Sequence, residues 1–344
     1  MELLLSNKHP ANFPGIKSSN EIFVDYLRDS DSITMATGYI SSDSLIELSK
    51  IVEINHKPKI ELMIGMHYFE GFTRSQYEAA SSLNQILTSK SLGGIFLSNT
   101  RKFHGKMYYF DGQLISPAII IGSSNLDSCI SKNPMNYEAD VLITESEDVK
   151  KYNAYLKSLI GNLSVPFDSV VIDSFIEKNT LLENQYGVEK VDPVLLTEIK
   201  TNLTGVEFKL PIKTEPKSNL NAFFGKGRVN KKGFVTPRPW YEVELIVSNS
   251  ITQKSDFPYC KEFDVITDDG WKFKCKTSGD FSKNLRSNDD LKILGKWLKG
   301  RLESANCLKV GEPVTDQVLD NYGRSYINLA KTNVVNLWFL SFNI

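Results

Sequence analysis

The sequence has few cysteines and no long apolar run, and each absence narrows the class of protein. Its four cysteines, Cys129, Cys260, Cys275 and Cys307, form no C-x-x-C pair and no zinc-type cluster with histidine, so we expect them to be reduced and structural. No apolar stretch reaches the roughly 20 residues of a membrane-spanning helix. The first ten residues lack the basic and then apolar pattern of a secretion signal. We therefore expect a cytoplasmic protein that does not enter a membrane.

Internal repeats, low-complexity tracts and the G-x-x-x-x-G-K-[ST] phosphate-binding loop are also absent from the sequence. Hydrophobic residues make up 41% and charged residues 24% of the 344 positions. These fractions are ordinary for a globular protein, and the length allows one large domain or two smaller ones.

The net charge of −1 conceals an uneven distribution along the chain. Residues 217–344 contain 20 Lys and Arg against 14 Asp and Glu, whereas the remainder contains 20 against 27. The C-terminal third is therefore basic, with a net charge of +6, while the rest carries −7. A basic segment of this kind fits a polyanionic partner such as a nucleic acid.

The first part of the chain alternates between helical and strand-like patterns, which predicts an α/β layer structure. The pattern then changes to strands rich in aromatic and β-branched residues, and it closes with a helix. The helices are predicted over 19–29, 42–54, 75–89 and 149–163, and the strands over 32–35, 60–66, 94–97, 102–110, 117–121 and 138–144.

We assign residues 1–165 to this first domain and 166–222 to a linker with helical segments, in which 210–219 is rich in Pro and Lys. Residues 223–344 then form a mostly β domain. Its strands are predicted over 241–247, 262–267, 271–277, 325–329 and 334–342, with a hairpin turn at 268–270 and a helix over 290–302.

Three short segments carry the chemistry: F-H-G-K-M-Y-Y-F-D at 103–111, I-G-S-S-N at 121–125 and N-Y-E-A-D at 136–140. Residues two apart on a strand point to the same face, so His104 and Lys106 are predicted to project side by side. A neutral imidazole can attack phosphorus, and a neighbouring ammonium group can hold the non-bridging oxygens. The pair therefore combines covalent catalysis with stabilisation of charge.

The neighbouring polar residues complete a candidate catalytic site. Asn125 follows a Gly-Ser turn, where its amide can donate to a phosphoryl oxygen. Glu138 is expected to accept the other ring N–H of His104 and so fix its tautomer. Ser123 would either contact phosphate or cap the turn. Asp111 is included in the set, although its place in a turn favours a structural role.

This order of residues resembles the phospholipase D superfamily, whose signature is H-x-K-(x)4-D-(x)6-G-S-x-N. The matching residues are His104, Lys106, Asp111, Gly122, Ser123 and Asn125, with ten residues rather than six between Asp111 and Gly122. The small nucleases of the superfamily carry a downstream Glu that matches Glu138. The resemblance implies phosphodiester hydrolysis through a phosphohistidine, with no metal and no other cofactor.

A phospholipase D site needs two histidines, and this chain carries a single H-x-K motif. The resemblance therefore implies a homodimer with its site on the two-fold axis. One His104 would become the phosphohistidine while its mate protonates the leaving oxygen.

The second half of the chain must select the substrate. Residues 223–240 interleave basic residues, glycine and aromatics, and residues 276–287 form a second polar, basic loop. Side chains of these types contact phosphates and base edges. The residues expected to bind DNA are Arg228, Asn230, Lys231, Lys232, Arg238, Trp240, Lys276, Ser278, Asp280, Lys283, Asn284 and Arg286.

The whole layout resembles the NgoFVII-type restriction endonucleases and, more distantly, the BfiI type. The segments 237–245, 268–275 and 311–315 carry the C-terminal part of this resemblance. It implies an α/β phospholipase D-like nuclease domain, a mixed sheet flanked by helices, with His104 and Lys106 on a central strand. A mostly β pseudobarrel similar to the plant B-three DNA-binding domain would follow.

The same resemblance implies double-stranded DNA as substrate, cut at or near a short recognition sequence. Related systems use a cognate methyltransferase and a separate ATPase subunit. Because this chain lacks a phosphate-binding loop, ATP and Mg would act only through such a partner.

Three other functions remain open at this stage. A metal-dependent nuclease would use carboxylates near 198–200 or 207–209, and sensitivity to a chelator would identify it. A lipid phosphodiesterase would need an apolar membrane-binding face or a lipid anchor, and neither is evident. A non-catalytic DNA-binding protein would have no use for His104, Lys106, Asn125 and Glu138 together.

Overall fold

The computed structural model describes residues 1–130, 136–176, 181–183, 185–215 and 218–343. The strands in these ranges are β1 (Glu2–Leu5), β2 (Ser32–Thr37), β3 (Lys59–Ile64), β4 (Gly93–Ser98), β5 (Met107–Gly112), β6 (Ile115–Gly122), β7 (Ala139–Ile143), β8 (Ser164–Pro166), β9 (Val188–Lys190), β10 (Leu203–Pro211), β11 (Arg228–Val229), β12 (Val235–Thr236), β13 (Leu245–Ile246), β14 (Glu262–Thr267), β15 (Trp271–Ser278), β16 (Asn284–Ser287), β17 (Tyr326–Thr332) and β18 (Leu337–Ser341). The helices are α1 (Ser19–Asp29), α2 (Ser42–Asn55), α3 (His67–Glu70), α4 (Arg74–Ser89), α5 (Leu126–Ile130), α6 (Ser146–Leu163), α7 (Pro193–Thr201), α8 (Asn249–Thr252), α9 (Lys292–Ser304) and α10 (Asp316–Tyr322).

The chain divides into two compact units. The first contains Met1–Glu177 and Arg228–Thr236, and the second contains Lys178–Gly227 and Pro237–Ile344. The short hairpin formed by β11 and β12 thus belongs to the first unit, although the chain on either side of it belongs to the second. The domain boundaries that we placed after residues 165 and 222 stay a prediction.

The first unit is built on a mixed sheet with the strand order β1-β7-β6-β5-β2-β3-β4-β8. Strands β2, β3 and β4 are parallel, and the other neighbours are antiparallel. Adjacent residues of β5 face opposite sides, as alternation in a strand requires. Tyr108 packs on Phe23 of α1 with ring centroids 5.3 Å apart, while Met107 joins the cluster that contains Leu156 of α6. Helices therefore flank the sheet, as predicted.

Helices α1 and α4 begin within one residue of their predicted starts, and each begins with a capping box. Ser18 accepts a hydrogen bond from the backbone of Glu21, whose side chain accepts from the Ser18 N–H in return. Thr73 and Gln76 form the same capping box at the start of α4. Such reciprocal bonds satisfy backbone donors that a helix leaves unpaired at its first turn.

One prediction about the central strand is wrong. His104 and Lys106 lie before β5, which begins at Met107. The segment makes single backbone hydrogen bonds, from Phe103 N to Gly65 O and from Gly122 N to the carbonyl of Lys106, rather than a ladder. A Cβ at Gly105 would lie 2.5 Å from the Phe103 ring, so the absence of a side chain at Gly105 leaves room for that ring.

The second unit is mostly β, and its curled sheet forms a half-barrel. Its strand order is β10-β17-β18-β14-β15-β16-β13, with β9 paired to β15. The hairpin predicted at 268–270 joins β14 to β15. Strands β14 and β18 are parallel, and the other neighbours are antiparallel. This architecture confirms the predicted mostly β domain.

Two segments differ from their predicted conformation. The expected linker contains α7 and β10, and β10 pairs with β17 as a full strand of the sheet; positions 177–180, 184, 216 and 217 of that linker lie outside the described residues. The strand predicted over 241–247 is reduced to β13. Tyr241 and Val243 of this segment contact α9 instead, where a Cβ at Gly295 would lie 1.8 Å from the carbonyl of Tyr241 and 2.9 Å from the Val243 side chain. In the described part of the chain, no helix is long and apolar enough to cross a membrane.

Candidate active site and DNA-binding surfaces

The structure brings His104 and Lys106 together although neither lies on a strand. The Lys106 ammonium is 3.4 Å from Nε2 of His104 and donates to the His104 carbonyl at 2.8 Å. His104 is exposed, whereas Lys106 is only 5% exposed. A solvent-accessible imidazole thus sits directly on a buried cation, which is the arrangement that attack on a phosphate anion requires.

The charge of Lys106 is set by two opposing effects. Burial lowers its pKa, and the carboxylates of Glu138, Asp127 and Asp140 act against that change by favouring the ammonium form. An ammonium group that is largely removed from water interacts more strongly with a bound phosphoryl oxygen than an exposed one does.

Asn125 is held with its amide in a defined orientation. Its Oδ1 accepts from the backbone N–H of Tyr39 and lies within hydrogen-bond distance of the Thr37 hydroxyl, both at 3.2 Å. Because a backbone N–H can only donate, the atom that faces it must be the carbonyl oxygen. The NH₂ group of Asn125 is therefore the end that remains for a ligand, and among the described residues nothing accepts a hydrogen bond from it.

The turn that follows β2, which contains Gly38 and Tyr39, also positions His104. The Tyr39 ring meets the His104 ring edge-on, with centroids 5.6 Å apart, and its other neighbour is His67 at 5.7 Å. A Cβ at Gly38 would lie 3.3 Å from two atoms of His104. The Tyr39 hydroxyl donates to Glu70 at 2.8 Å. The turn after β2 therefore contacts both His104 and Asn125, which arrive from different parts of the sheet.

His67, which the sequence analysis left without a role, is a buried support for this turn. Its Nε2 accepts from the Ile40 N–H at 3.3 Å, and its Nδ1 donates to the carbonyl of Gly71 at 2.9 Å. Because Nε2 accepts a hydrogen bond, the ring must be neutral. Burial lowers the pKa of His67, which also favours the neutral ring. Sequence reasoning missed Thr37 and Tyr39, although polar residues directly after a buried strand are a recognisable signal of a site.

Glu138 does not contact His104 within the described chain. Its carboxylate accepts from Ser123 at 2.5 Å and from Ser128 at 3.0 Å, while Nδ1 of His104 has no hydrogen-bond partner among the described residues. The structure thus pairs Ser123 with Glu138, and the expected bond from Glu138 to the imidazole is not formed in a single copy of the chain.

A second carboxylate holds the G-S-x-N turn, and sequence reasoning missed it. Asp140 is 1% exposed and accepts from the backbone N–H of Ser124 at 3.0 Å and from its hydroxyl at 2.5 Å. The Ser19 hydroxyl also donates to it. Its position two residues after Glu138 in the predicted strand over 138–144 was the available signal, since alternate residues of a strand share a face.

Asp111 lies apart from these groups. It is near the far end of β5, where its carboxylate accepts from the Tyr109 hydroxyl at 3.2 Å and its carbonyl accepts from the backbone N–H of Asp31. These contacts tie strand ends together, in agreement with the structural role that the sequence favoured.

The first group of expected DNA-binding residues lies on the β11–β12 hairpin of the first unit. Arg228 and Lys231 are exposed there. Asn230 caps the turn by accepting from the backbone of Lys232 and Phe234. The Lys232 ammonium pairs with Asp29 at 3.0 Å, and hydrogen bonds from Arg28 and Lys232 lower the pKa of the Asp29 carboxyl to about 2.

The second group lies on β15, β16 and their connecting loop in the second unit. Asp280 and Lys283 are exposed and lie 3.6 Å apart, and Arg286 pairs with Glu244 at 3.3 Å. The remaining members, Lys276, Ser278 and Asn284, are half-buried. The two groups thus belong to different compact units, which the sequence did not reveal.

Two residues of the expected DNA surface are built into the protein interior. Trp240 is fully buried, with its indole N–H donating to Glu303 at 3.0 Å, so its assignment to DNA binding is wrong. Its ring is a core element because it packs on Phe223 and under the Lys299 ammonium. Arg238 is only half-buried, and one nitrogen of its guanidinium donates to the buried Glu242 carboxylate.

Within the described ranges, no group of three His, Cys, Asp or Glu residues is arranged to hold a metal ion.

Family models match both parts of the chain. The model for the NgoFVII restriction endonuclease N-terminal PLD domain matches residues 17–170, and the model for the NgoFVII C-terminal B3-like DNA-binding domain matches residues 198–333. The two matches lie in the expected order and together span most of the sequence. A comparison with curated proteins gave no match.

Three solved structures illustrate the similarity of the first unit, at identities that indicate at most a fold. The phospholipase D family member Nuc from Salmonella typhimurium is 14% identical, with 48% of this chain and 95% of that chain covered and a TM-score of 0.32. NucT from Helicobacter pylori is 11% identical, with 43% and 90% covered and a TM-score of 0.31. Phosphatidylserine synthase from Haemophilus influenzae is 11% identical, with 49% and 41% covered and a TM-score of 0.35.

The residues of the phospholipase D signature are therefore found together in the unit that the nuclease model matches, and the curled sheet lies in the unit that the DNA-binding model matches. The chain belongs to the NgoFVII restriction endonuclease family and is a DNA-cleaving phosphodiesterase, with an N-terminal phospholipase D domain and a C-terminal B3-like DNA-binding domain.

Proposed function

We propose that this protein hydrolyses double-stranded DNA at or near a short recognition sequence, without a metal ion, through a covalent phosphohistidine on His104. The observation that carries the proposal is the exposed His104 ring 3.4 Å from the buried Lys106 ammonium. The oriented NH₂ group of Asn125 supplies a second donor for the phosphoryl oxygens.

The chemistry has two steps in this proposal. A ring nitrogen of His104 attacks phosphorus, so that an N–P bond forms and the P–O bond to the leaving sugar oxygen breaks. That oxygen takes a proton from a second histidine. Water then attacks phosphorus, gives a proton to the same second histidine, and releases the phosphate end of the DNA and the free His104.

The second histidine would be His104 of another copy of the chain. The single H-x-K motif supports a homodimer with one site on its two-fold axis. In such a dimer, Lys106 and Asn125 of each copy would neutralise the charge of the transition state, which removes the need for a metal.

Partner proteins are a separate part of the proposal. An ATPase subunit would bring ATP and Mg to the system, because this chain carries no phosphate-binding loop. A cognate methyltransferase would protect the host DNA. Neither partner would take part in bond cleavage.

The test is cleavage of an unmethylated plasmid of mixed sequence in excess EDTA, with the wild type and with His104→Ala. We expect discrete fragments from the wild type and none from His104→Ala. Acid-labile, alkali-stable attachment of labelled DNA to the wild type would identify the phosphohistidine. Asp111→Asn is the matched control, since Asp111 lies outside the cluster, and it should still cut.

Cleavage that stops in EDTA, or that survives His104→Ala, would exclude this mechanism. A parallel set of reactions without EDTA, containing the partner proteins and ATP–Mg, shows whether the chain is silent alone. Cleavage that appears only with the partner and still requires His104 supports the chemistry and assigns its control to the ATPase.

A further inference from the structure

An exposed aromatic residue stands at the tip of the loop between β15 and β16. Phe281 is 61% exposed, and its backbone is left-handed, with φ 56° and ψ 25°. A bulky residue rarely adopts this conformation, because its Cβ approaches the following carbonyl oxygen. The chain thus accepts both backbone strain and exposed apolar surface at one position. Neither contributes to the stability of the fold, which points to a role outside it.

The tip is held in this conformation by its neighbours. Ser282, also left-handed at φ 58°, is completely buried, and its hydroxyl accepts from the Cys260 N–H at 2.7 Å. The Ser282 N–H donates to the carbonyl of Gly279, whose φ is 77°. Three left-handed residues within four positions therefore form a locked turn that presents the Phe281 ring outward.

The surroundings of the ring suit a nucleic acid. Tyr259, which is 45% exposed, directly precedes Cys260, just as Phe281 directly precedes Ser282. An exposed aromatic residue therefore lies next to each end of the hydrogen bond between Cys260 and Ser282. Lys261 is exposed and Lys276 half-buried, and neither forms an ion pair among the described residues. Aromatic rings interleaved with unpaired lysines are typical of surfaces that contact bases and phosphates together.

We propose that Phe281 makes a direct apolar contact with the nucleobases of the bound DNA. The inference rests on the DNA-binding role of the second unit and not on the cleavage chemistry. The lysines around the loop would hold the phosphates, and the fixed turn would present the ring without a further loss of conformational freedom on binding.

The experiment exploits the strain at this position, because function and stability should change in opposite directions. Glycine adopts a positive φ without steric cost. The Phe281→Gly chain should therefore unfold at the same or a higher urea concentration than the parent chain. It should bind DNA about 5-fold to 100-fold more weakly, the range expected for loss of one base–aromatic contact. Phe281→Tyr keeps the ring and should bind within about twofold of the parent.

All chains are full length and carry His104→Ala, so that cleavage does not consume the probe. The probe is a duplex that the parent chain selects from a random-sequence double-stranded library. Affinity is measured over a range of salt concentrations. An apolar base contact leaves the slope of log affinity against log salt unchanged, whereas loss of a phosphate contact makes it shallower.

Val335→Gly is the matched control, because Val335 is an apolar residue of the same unit that is 94% exposed on another turn. It should leave affinity unchanged. Binding of Phe281→Gly within about twofold of the parent would overturn the proposal. A Tyr variant as weak as the Gly variant, a changed salt slope, or a parent chain that selects no duplex would overturn it as well. Cleavage by the His104→Ala chain would refute the proposed chemistry. That outcome would not contradict the base contact of Phe281, because cleavage and binding are measured separately.

Discussion

At the scale of single residues, the orientation of Asn125 depends on groups that do not take part in the chemistry. The Tyr39 N–H and the Thr37 hydroxyl both lie 3.2 Å from its carbonyl oxygen. Thr37 is fully buried at the end of β2, so water cannot replace its hydroxyl. The amide of Asn125 is therefore preorganised by the end of β2, the strand that pairs with β5.

We predict that Thr37→Val lowers the rate of cleavage about fivefold to tenfold, which corresponds to the loss of one hydrogen bond of roughly 1 kcal/mol. The affinity for DNA should not change, because Thr37 has no access to the substrate. Single-turnover cleavage and a binding titration separate the two quantities.

Thr37→Ser keeps the hydroxyl and is the matched control for this change. It should restore most of the rate, because its hydroxyl can make the same bond. Equal rates for the Val and Ser variants would show that Thr37 only fills space.

At the scale of secondary structure elements, the β11–β12 hairpin is fastened to α2 by one side chain. The amide of Asn55 donates to the carbonyl of Val235 and accepts from its N–H, both at 2.9 Å. This pair of bonds imitates the pairing of two strands. The ion pair between Lys232 and Asp29 adds a second attachment, although an exposed pair of this kind contributes little.

We predict that Asn55→Ala releases the hairpin and exposes it to proteolysis. Trypsin cleaves after Arg228, Lys231 and Lys232, all within or beside the hairpin. The rate of cleavage at these three sites under native conditions should rise about tenfold. The reason is that the free energy that opposes opening of the hairpin falls by roughly 1–2 kcal/mol. Mass spectrometry of the fragments over time measures the rate at each site.

The control for this prediction is Asn162→Ala, which removes an exposed asparagine of α6 in the same unit. It should leave the three cleavage rates unchanged. If Asn55→Ala is cleaved no faster than the wild type, the hairpin is held by other contacts.

The helix α9 contains a fully buried lysine. Lys299 donates to the carbonyl of Trp240 at 2.7 Å and lies 3.9 Å from the centre of the Trp240 ring. Burial lowers its pKa to about 7, and nearby Glu303 acts in the opposite direction. Between pH 7 and the ordinary lysine pKa near 10.5, the unfolded chain therefore binds a proton that the folded chain does not. Stability conferred by this site must rise with pH across that window.

We predict that Lys299→Met removes this dependence. The free energy of unfolding of the wild type should gain about 1.4 kcal/mol per pH unit relative to the variant between pH 8 and pH 9.5. All four tryptophans lie in the second unit, so urea unfolding followed by tryptophan fluorescence reports on that unit.

Lys309→Met, which changes an exposed lysine of the same unit, serves as the control and should follow the wild-type pH profile. Parallel profiles for the wild type and Lys299→Met would show that Lys299 keeps its proton throughout this range.

At the scale of the whole molecule, the charge is distributed unevenly along the chain. Residues 217–344 carry a net charge of +6 and the remainder −7. Three of these basic residues, Arg228, Lys231 and Lys232, belong to the first unit, so both units contribute positive charge that can attract DNA. The catalytic groups of one chain supply one histidine, so the proposed chemistry depends on the assembly of two copies.

We predict that excess His104→Ala chain inhibits the wild type by forming mixed dimers. With free exchange of subunits, activity per wild-type chain should fall to about one half at equal amounts and about one tenth at a ninefold excess. DNA sites are kept in excess, so that the inactive chain cannot compete for substrate. Activity that is unchanged by the added chain would show that one copy suffices.

Sequence periodicity determined most of the elements that surround the site. The helices over 19–29 and 42–55 and the buried strand between them were predicted to within about two residues, because capping residues and apolar spacing are local properties. Packing overrode the local pattern at 241–247. Its alternation fits a strand, but the burial comes from α9 and not from a second sheet face.

The sequence by itself determined the family and the order of the two domains, and it supplied the catalytic pair that we propose, because these depend on residue types at fixed spacing. Only the tertiary structure decided that Glu138 bonds Ser123, that Trp240 is core, and that the hairpin belongs to the nuclease unit. The physical reason is that each of these contacts joins residues distant in sequence or depends on burial. Neither distance in space nor exclusion of water is encoded in a local pattern.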